Sequence, residues 1–156
     1  MILVTGGLGF IGSHTVRALA EAGEECVLLQ RRSPQVPRHL ADLPVHVVQA
    51  DVADLDALLA VGRQFPITGI VHLAVALPWP AGNDDPIDAS GRALEAFLNI
   101  VRAARAWGVR RVVSASTIGV YGATSQGALT EDMPLSLEHF HAIPTFKKIT
   151  ELLAGH

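Results

Sequence analysis

Chemistry is most legible in the glycines of Val4-Thr5-Gly6-Gly7-Leu8-Gly9-Phe10-Ile11-Gly12. A glycine lets the backbone turn tightly and approach a ligand closely, because no Cβ stands in the way. Set between an apolar run and a helical pattern, such a turn offers an anion the unpaired N–H groups of the helix start and the positive end of the helix dipole. Gly6, Gly9 and Gly12, with Phe10 and Ile11 opening the helix, are expected to hold the pyrophosphate of a nicotinamide dinucleotide. About 20 residues beyond the glycines, an NAD-binding fold usually carries a carboxylate for the ribose hydroxyls. In Leu28-Leu29-Gln30-Arg31-Arg32 that place falls on Gln30. A 2′-phosphate would meet no repulsion there, and Arg31 and Arg32 could pair with it, so NADP is favoured over NAD.

The elements that must carry these residues follow from the hydrophobic pattern. Short runs rich in Val, Ile and Leu read as strands over residues 1–4, 26–29, 45–48, 70–73 and 112–115, each apolar on both faces as in a buried parallel sheet. Helical patterns lie between them at residues 11–22, 55–63 and 89–107, and a last one starts near Phe146. This alternation predicts right-handed βαβ units in a Rossmann-type, doubly wound α/β fold with strand order 3-2-1-4-5. The chain reads as one NAD(P)-binding domain over residues 1–156, with a Pro/Gly-rich surface loop at 78–86. Helix 89–107 carries a stripe of Leu94, Phe97, Leu98, Val101 and Ala104, widened by Ala93, Ala96, Ile100, Ala103 and Trp107. A helix on a sheet needs one apolar face, so the excess predicts a second contact.

Several landmarks along the chain resemble those of the extended short-chain dehydrogenase/reductases, the branch of UDP-glucose 4-epimerase and the sugar-nucleotide dehydratases. Residues 5–14, TGGLGFIGSH, are similar to that family's opening. Ala50-Asp51-Val52 resembles its motif after the third strand, Val71-His72-Leu73-Ala74 the one after the fourth, and residues 98–105, LNIVRAAR, its long-helix signature. Residues 112–122, VVSASTIGVYG, and Leu129 to Pro134 resemble the next two landmarks. The resemblance implies that Asp51 and Val52 lie at the adenine and that Leu73, Ala74 and Ser116 lie beside the cofactor. It further implies hydride transfer on a nucleotide sugar or related hydroxyl or carbonyl substrate, a homodimer built from helix 89–107 and the C-terminal helix, and a further C-terminal substrate domain that this chain lacks.

In that family a Tyr shuttles the proton, a Lys four residues later lowers its pKa, and a Ser or Thr hydrogen-bonds the reacting oxygen. A phenol near pKa 10 is a poor base at neutral pH without such a cation. The Ser/Thr role falls on Thr117, and the Lys matches Lys147, since Glu151 follows it by four residues. Ile143 stands where the Tyr belongs, and Ala93 stands where the family has an Asn that helps place the Lys. Tyr121 is the chain's one tyrosine, and it belongs to the Val-Tyr-Gly landmark. The imidazoles of His139 and His141 offer an alternative base near neutral pH. Three readings stay open: an epimerase, dehydratase or reductase, a non-catalytic NAD(P)-binding module, and a truncated derivative with no independent function.

Composition narrows the rest. With 49% hydrophobic and 17% charged residues the chain fits a folded α/β domain, and a net charge of −3 gives no reason for a nucleic-acid partner. The lone Cys26 sits in an apolar run and is expected to be a buried thiol in a reducing compartment. The remaining histidines lack metal-ligand spacing, so no metal is expected. No apolar run approaches the length of a membrane span, and a first strand beginning at Met1 leaves no room for a signal peptide. A cytoplasmic protein is expected.

Overall fold

In the computed structural model, which describes residues 1–32, 35–75, 85–123, 127–138 and 141–155, the strands and helices alternate as the sequence predicts. Strands β1 (Ile2–Thr5), β2 (Cys26–Gln30), β3 (Val45–Gln49), β4 (Gly69–His72) and β5 (Val112–Ser114) pair in parallel, in the order β3-β2-β1-β4-β5. Helices α1 (Phe10–Glu21), α2 (Leu55–Gln64), α3 (Pro86–Trp107) and α4 (Ala142–Ala154) complete the chain with two short 3₁₀ turns. The chain divides into two compact units: Met1–Val75 with Glu95–Ser114, and Ala76–Leu94 with Ala115–His156.

The first unit holds the sheet. Neighbouring positions of a strand face opposite ways, so each central strand supplies two cores. Leu3, Val27, Leu29 and Ile70 pack with Leu58 and Val61 of α2 and with Ile100, Ala103 and Ala104 of α3. Val4, Cys26 and Leu28 pack with Val16 of α1 and with Leu40 on the other face. Each fully buried Leu, Ile or Val contributes about 1.5–3 kcal/mol, which is why β1 and β2 are apolar on both sides. Two strands depart from that expectation. In β5, Val112 and Val113 are 37% and 50% exposed, and in β3 Val45, Val47 and Val48 are half-buried while His46 and Gln49 are exposed. These are the edge strands of the sheet as described, each hydrogen-bonded on one side only.

Local signals set the helix ends. Asp54 caps α2 by accepting from the Ala57 N–H at 3.0 Å. Asp85 does the same for α3 from Ile87 at 2.6 Å, and Pro86 fits the first helical position, where its missing N–H costs nothing. Gly108, at φ +68°, ends α3 in the left-handed region, and Val109 donates to the Ala104 carbonyl at 2.9 Å. The buried face of α3 differs from the expected stripe. It is built from Ala89, Ala93, Ala96, Phe97, Ile100, Ala103 and Ala104, leaving Leu94, Leu98 and Val101 half-buried. Small residues let a helix approach its packing partner closely, so the alanines take the inner face. Helix α4 begins at Ala142, four residues before the expected start, with Pro144 buried in its first turn. The expected loop at 78–86 lies almost wholly outside the described residues.

Candidate functional site

The turn between β1 and α1 closes through the Gly9 N–H, which donates to the Gly6 carbonyl at 3.0 Å, and Ser13 starts the helical ladder by donating to Gly9 at 2.9 Å. Gly6 adopts φ +72°, and a Cβ there would stand 2.9 Å from the Ala74 nitrogen. A Cβ on Gly12 would lie 2.1 Å from the Gly6 carbonyl oxygen, well inside van der Waals contact. Gly9 caps α1 without a side chain, so the first-turn amides of Phe10, Ile11 and Gly12 have no capping partner. Phe10, 84% exposed, and Ile11 flank those amides at the surface. The fit of this turn to a phosphate is therefore steric and electrostatic together: it excludes side chains and presents donors.

Two neighbouring strands hold the turn. Gln30, at the end of β2, accepts from Leu8 at 3.0 Å and Gly7 at 3.2 Å when its amide oxygen faces the turn. At the end of β4 the Leu73 N–H donates to the Thr5 carbonyl at 3.1 Å, and the Ala74 N–H donates to the Thr5 hydroxyl at 3.2 Å. That hydroxyl also hydrogen-bonds His72 Nδ1, 2.7 Å away. Both side chains are buried, so this pairing satisfies polar groups that would otherwise be costly to enclose. Asp51 follows β3; its Oδ1 accepts from the Ala53 N–H at 3.0 Å and its Oδ2 lies 3.7 Å from Arg31 Nη1. Val52 follows it half-buried, and Arg32 is exposed. Gly6, Gly9, Gly12, Gln30, Leu73 and Ala74 thus share one end of the sheet, with Asp51 and Arg31 paired beyond β3 and β2.

The second unit carries the other candidate residues. Thr117 begins the 3₁₀ turn at Ile118–Tyr121 and its hydroxyl accepts from Gly119 at 3.3 Å, which leaves its proton for another acceptor. Ser116, exposed, donates to the Glu151 carboxylate. Lys147 donates to the Ala115 carbonyl. Burial pushes the Lys147 ammonium below the usual lysine range, and the carboxylate of Glu151 works the other way. Lys148 ties α4 to the preceding loop through the carbonyls of Ser136 and, at 3.1 Å, Glu138. Packing adds to this: a Cβ on Gly119 would meet Pro144 Cγ at 2.8 Å, and one on Gly122 would meet Ser136 Oγ at 2.5 Å. Ile143 is half-buried one turn before Lys147. His141 caps α4, while His139 lies outside the described residues. The cluster supplies a desolvated cation and two hydroxyls, and position 143 carries no transferable proton.

Sequence reasoning missed three of these groups. Thr5 and His72 form a buried pair across 67 positions, and Lys148 acts on a loop with no periodic signature. Asn99 is fully buried and donates to the carbonyls of Val52 and Ala53. A signal for Asn99 did exist: an amide inside the apolar stretch Phe97-Leu98-Asn99-Ile100-Val101 has to find partners.

A family model described as the NAD dependent epimerase/dehydratase family matches residues 2–142. Among curated proteins, the UDP-glucose 4-epimerase of Lacticaseibacillus casei is 33% identical over 133 residues, 85% of this chain and 40% of that protein. The UDP-glucose 4-epimerase of Azospirillum brasilense is 32% identical over 85% of this chain and 38% of its own length. The chain therefore spans about two-fifths of the curated relatives it matches. Among solved structures, the UDP-glucose 4-epimerase of Thermus thermophilus in complex with NAD is 27% identical, with a TM-score of 0.83 over 99% of this chain and 49% of that one. Bordetella bronchiseptica WbmG, in complex with NAD and UDP, shares the fold at 24% identity and a TM-score of 0.79 over 97% of this chain and 47% of that one.

Proposed function

The chain belongs to the NAD-dependent epimerase/dehydratase family, and on that premise we propose that it is the dinucleotide-binding part of an enzyme acting by hydride transfer on a nucleotide sugar or a related hydroxyl or carbonyl compound. The observation that carries this reading is the glycine turn, where Gly6 and Gly12 have no room for a side chain and α1 begins with uncapped amides. Phe10, Ile11 and Gly12 present those amides to the pyrophosphate, and Gly9 keeps the approach open. Leu73 and Ala74 line the end of β4 beside it, and Asp51 with Val52 receives the adenine end. When bound, the nicotinamide supplies the hydride donor or acceptor.

In the second unit Thr117 donates its hydroxyl proton to the reacting oxygen, Ser116 stands beside it, and Lys147 supplies positive charge. The UDP-glucose 4-epimerases among the relatives make a UDP-sugar the substrate class of choice. For the cofactor we favour NADP: Gln30 brings no carboxylate to the end of β2, and the half-exposed guanidinium of Arg31 lies within reach of a 2′-phosphate, with Arg32 adjacent. A 2′-phosphate would have to compete with Asp51 for Arg31. The family's homodimer is carried over as well, with the half-buried Leu94, Leu98 and Val101 of α3 and the exposed Leu152 and Leu153 of α4 among the apolar residues left for it. No helix among the described residues is long and apolar enough to cross a membrane, and the lone thiol of Cys26 fits a reducing, cytoplasmic setting.

Titration of NADPH and NADH into the purified chain, followed by nicotinamide fluorescence or calorimetry, tests this. Saturable binding with NADPH the tighter is expected; no binding of either nucleotide at millimolar concentration would sink the proposal. Ile143 supports a second reading, a non-catalytic NAD(P)-binding module, because an alkyl side chain cannot shuttle a proton. Binding without turnover of any UDP-sugar would favour it.

A further inference from the structure

Asn99 lies at 0% exposure on α3, in the middle of an apolar packing face, with every donor in use. Its amide nitrogen donates to the Val52 carbonyl at 3.1 Å and the Ala53 carbonyl at 2.9 Å, and its oxygen accepts from Arg102 Nη1 at 2.7 Å. Arg102 is held in turn by Glu95 at 2.8 Å. Enclosing an amide is unfavourable unless its groups are paired, and a leucine would fill the core with no such demand. What the amide adds is control of two carbonyls. Those carbonyls belong to the turn that follows β3, where the Ala53 N–H is bound to Asp51 Oδ1 at 3.0 Å and the Asp54 N–H to the Asp51 carbonyl at 3.0 Å. The turn is thus gripped from both sides: its N–H groups by Asp51, its carbonyls by Asn99. The grip fixes the Asp51 carboxylate, whose Oδ2 lies 3.7 Å from Arg31 Nη1 in a pair exposed enough to admit a further donor.

We propose that Asn99 is a positioning residue that aims the Asp51 carboxylate at the exocyclic amino group of the dinucleotide's adenine, acting through the Val52–Ala53 backbone. The proposal rests on the dinucleotide-binding reading given above. Adenine donates from that amino group, whereas hypoxanthine carries an oxygen there and would face the carboxylate as a second acceptor. A well-placed Asp51 therefore discriminates between the two bases, and a loosened one does not. Overall destabilisation weakens both nucleotides alike, so their ratio reports position and not fold.

The experiment compares Kd for NADH with Kd for its deamino analogue, which carries hypoxanthine in place of adenine. The wild-type chain is expected to favour NADH by about ten-fold, as for one hydrogen bond to a charged acceptor. Asn99→Leu should bring the ratio below about two-fold, as should Asp51→Asn, which alters the carboxylate directly. Arg102→Met, at an exposed position outside the core, frees the Asn99 oxygen and should narrow the ratio to about three-fold, so the test survives even if Asn99→Leu fails to fold. A variant at 99 or 102 that binds NADH and keeps the full ratio overturns the proposal. A wild-type chain that binds both nucleotides equally overturns it too, while leaving dinucleotide binding intact. A wild-type chain that binds neither brings down the binding reading and this proposal together.

Discussion

Residues 6–12 and residues 142–151 both carry candidate site groups, yet they are enforced in different ways. The first stretch is governed by what must be absent. Gly12 would drive a Cβ to within 2.1 Å of its own turn, and Gly6 sits in the left-handed region against Ala74. Nearly any substitution there is felt by the backbone itself. The second stretch is governed by what reaches in: Lys147 to the Ala115 carbonyl, Lys148 to Ser136 and Glu138, Glu151 to Ser116. Those contacts hold a helix that carries an alkyl group at position 143. A steric requirement tolerates little drift, whereas a set of polar contacts can persist whatever side chain stands at position 143.

The contrast can be broken most easily at Gly12. Gly12→Ala is expected to cost about 3 kcal/mol, at the upper end of overpacking penalties, and to abolish NADPH binding. Urea unfolding alongside a nucleotide titration checks both; a variant as stable as wild type that still binds would show the turn to be adaptable. At the other stretch, Ile143→Tyr places a phenol one helical turn before Lys147. Its pKa, followed by tyrosinate absorbance against the wild-type background of Tyr121, should fall about one unit below the ordinary value near 10, about 1.4 kcal/mol. A phenol titrating at or above its ordinary value would mean that Lys147 does not act on that position.

Lys147 itself sharpens the picture through pH. Its folded pKa lies below the unfolded one, so folding opposes the charged form. The resulting penalty is complete below the folded pKa and disappears as pH rises to the unfolded value near 10.4. The stability difference between wild type and Lys147→Met, which lacks the charge, should move in favour of wild type across that window. A difference that stays flat with pH would remove desolvation as the cause. The smallest effect is expected at Arg31. Because both partners of the Arg31–Asp51 pair are substantially exposed, Arg31→Ala should change stability by less than about 0.5 kcal/mol, while lowering any preference for NADPH over NADH. A larger stability loss would show the pair to be part of the fold.

Much of this architecture was legible because it is local or periodic. Alternating strand and helix patterns in the order found, glycines at fixed offsets after a strand, and Gln30 at the end of β2 can all be read without knowing which distant residues meet. The same strand order puts Val112 and Val113 at an edge of the sheet, where they stand 37% and 50% exposed. Helix α4 starts at Ala142, ahead of the expected Phe146, with Pro144 accommodated in its first turn, where no intrahelical N–H is required. The polar contacts were hidden by separation along the chain. Thr5 with His72, Asn99 with Val52 and Ser116 with Glu151 lie 67, 47 and 35 positions apart, and no periodicity links residues at such distances.

The central place of β1 has a consequence in time. Of the five strands it is the first to be synthesised, and β2 follows soon enough to pair with one of its edges. The other edge waits for β4, and Thr5 waits for a partner 67 positions downstream. At synthesis rates of about 5–20 residues per second, the nascent chain would carry an open, apolar strand edge for several seconds. The glycine turn cannot be braced from both sides during that interval. Competence to bind a nucleotide should therefore arise late on the ribosome, as β4 docks, and the exposed edge of β1 is where a chaperone has most to protect.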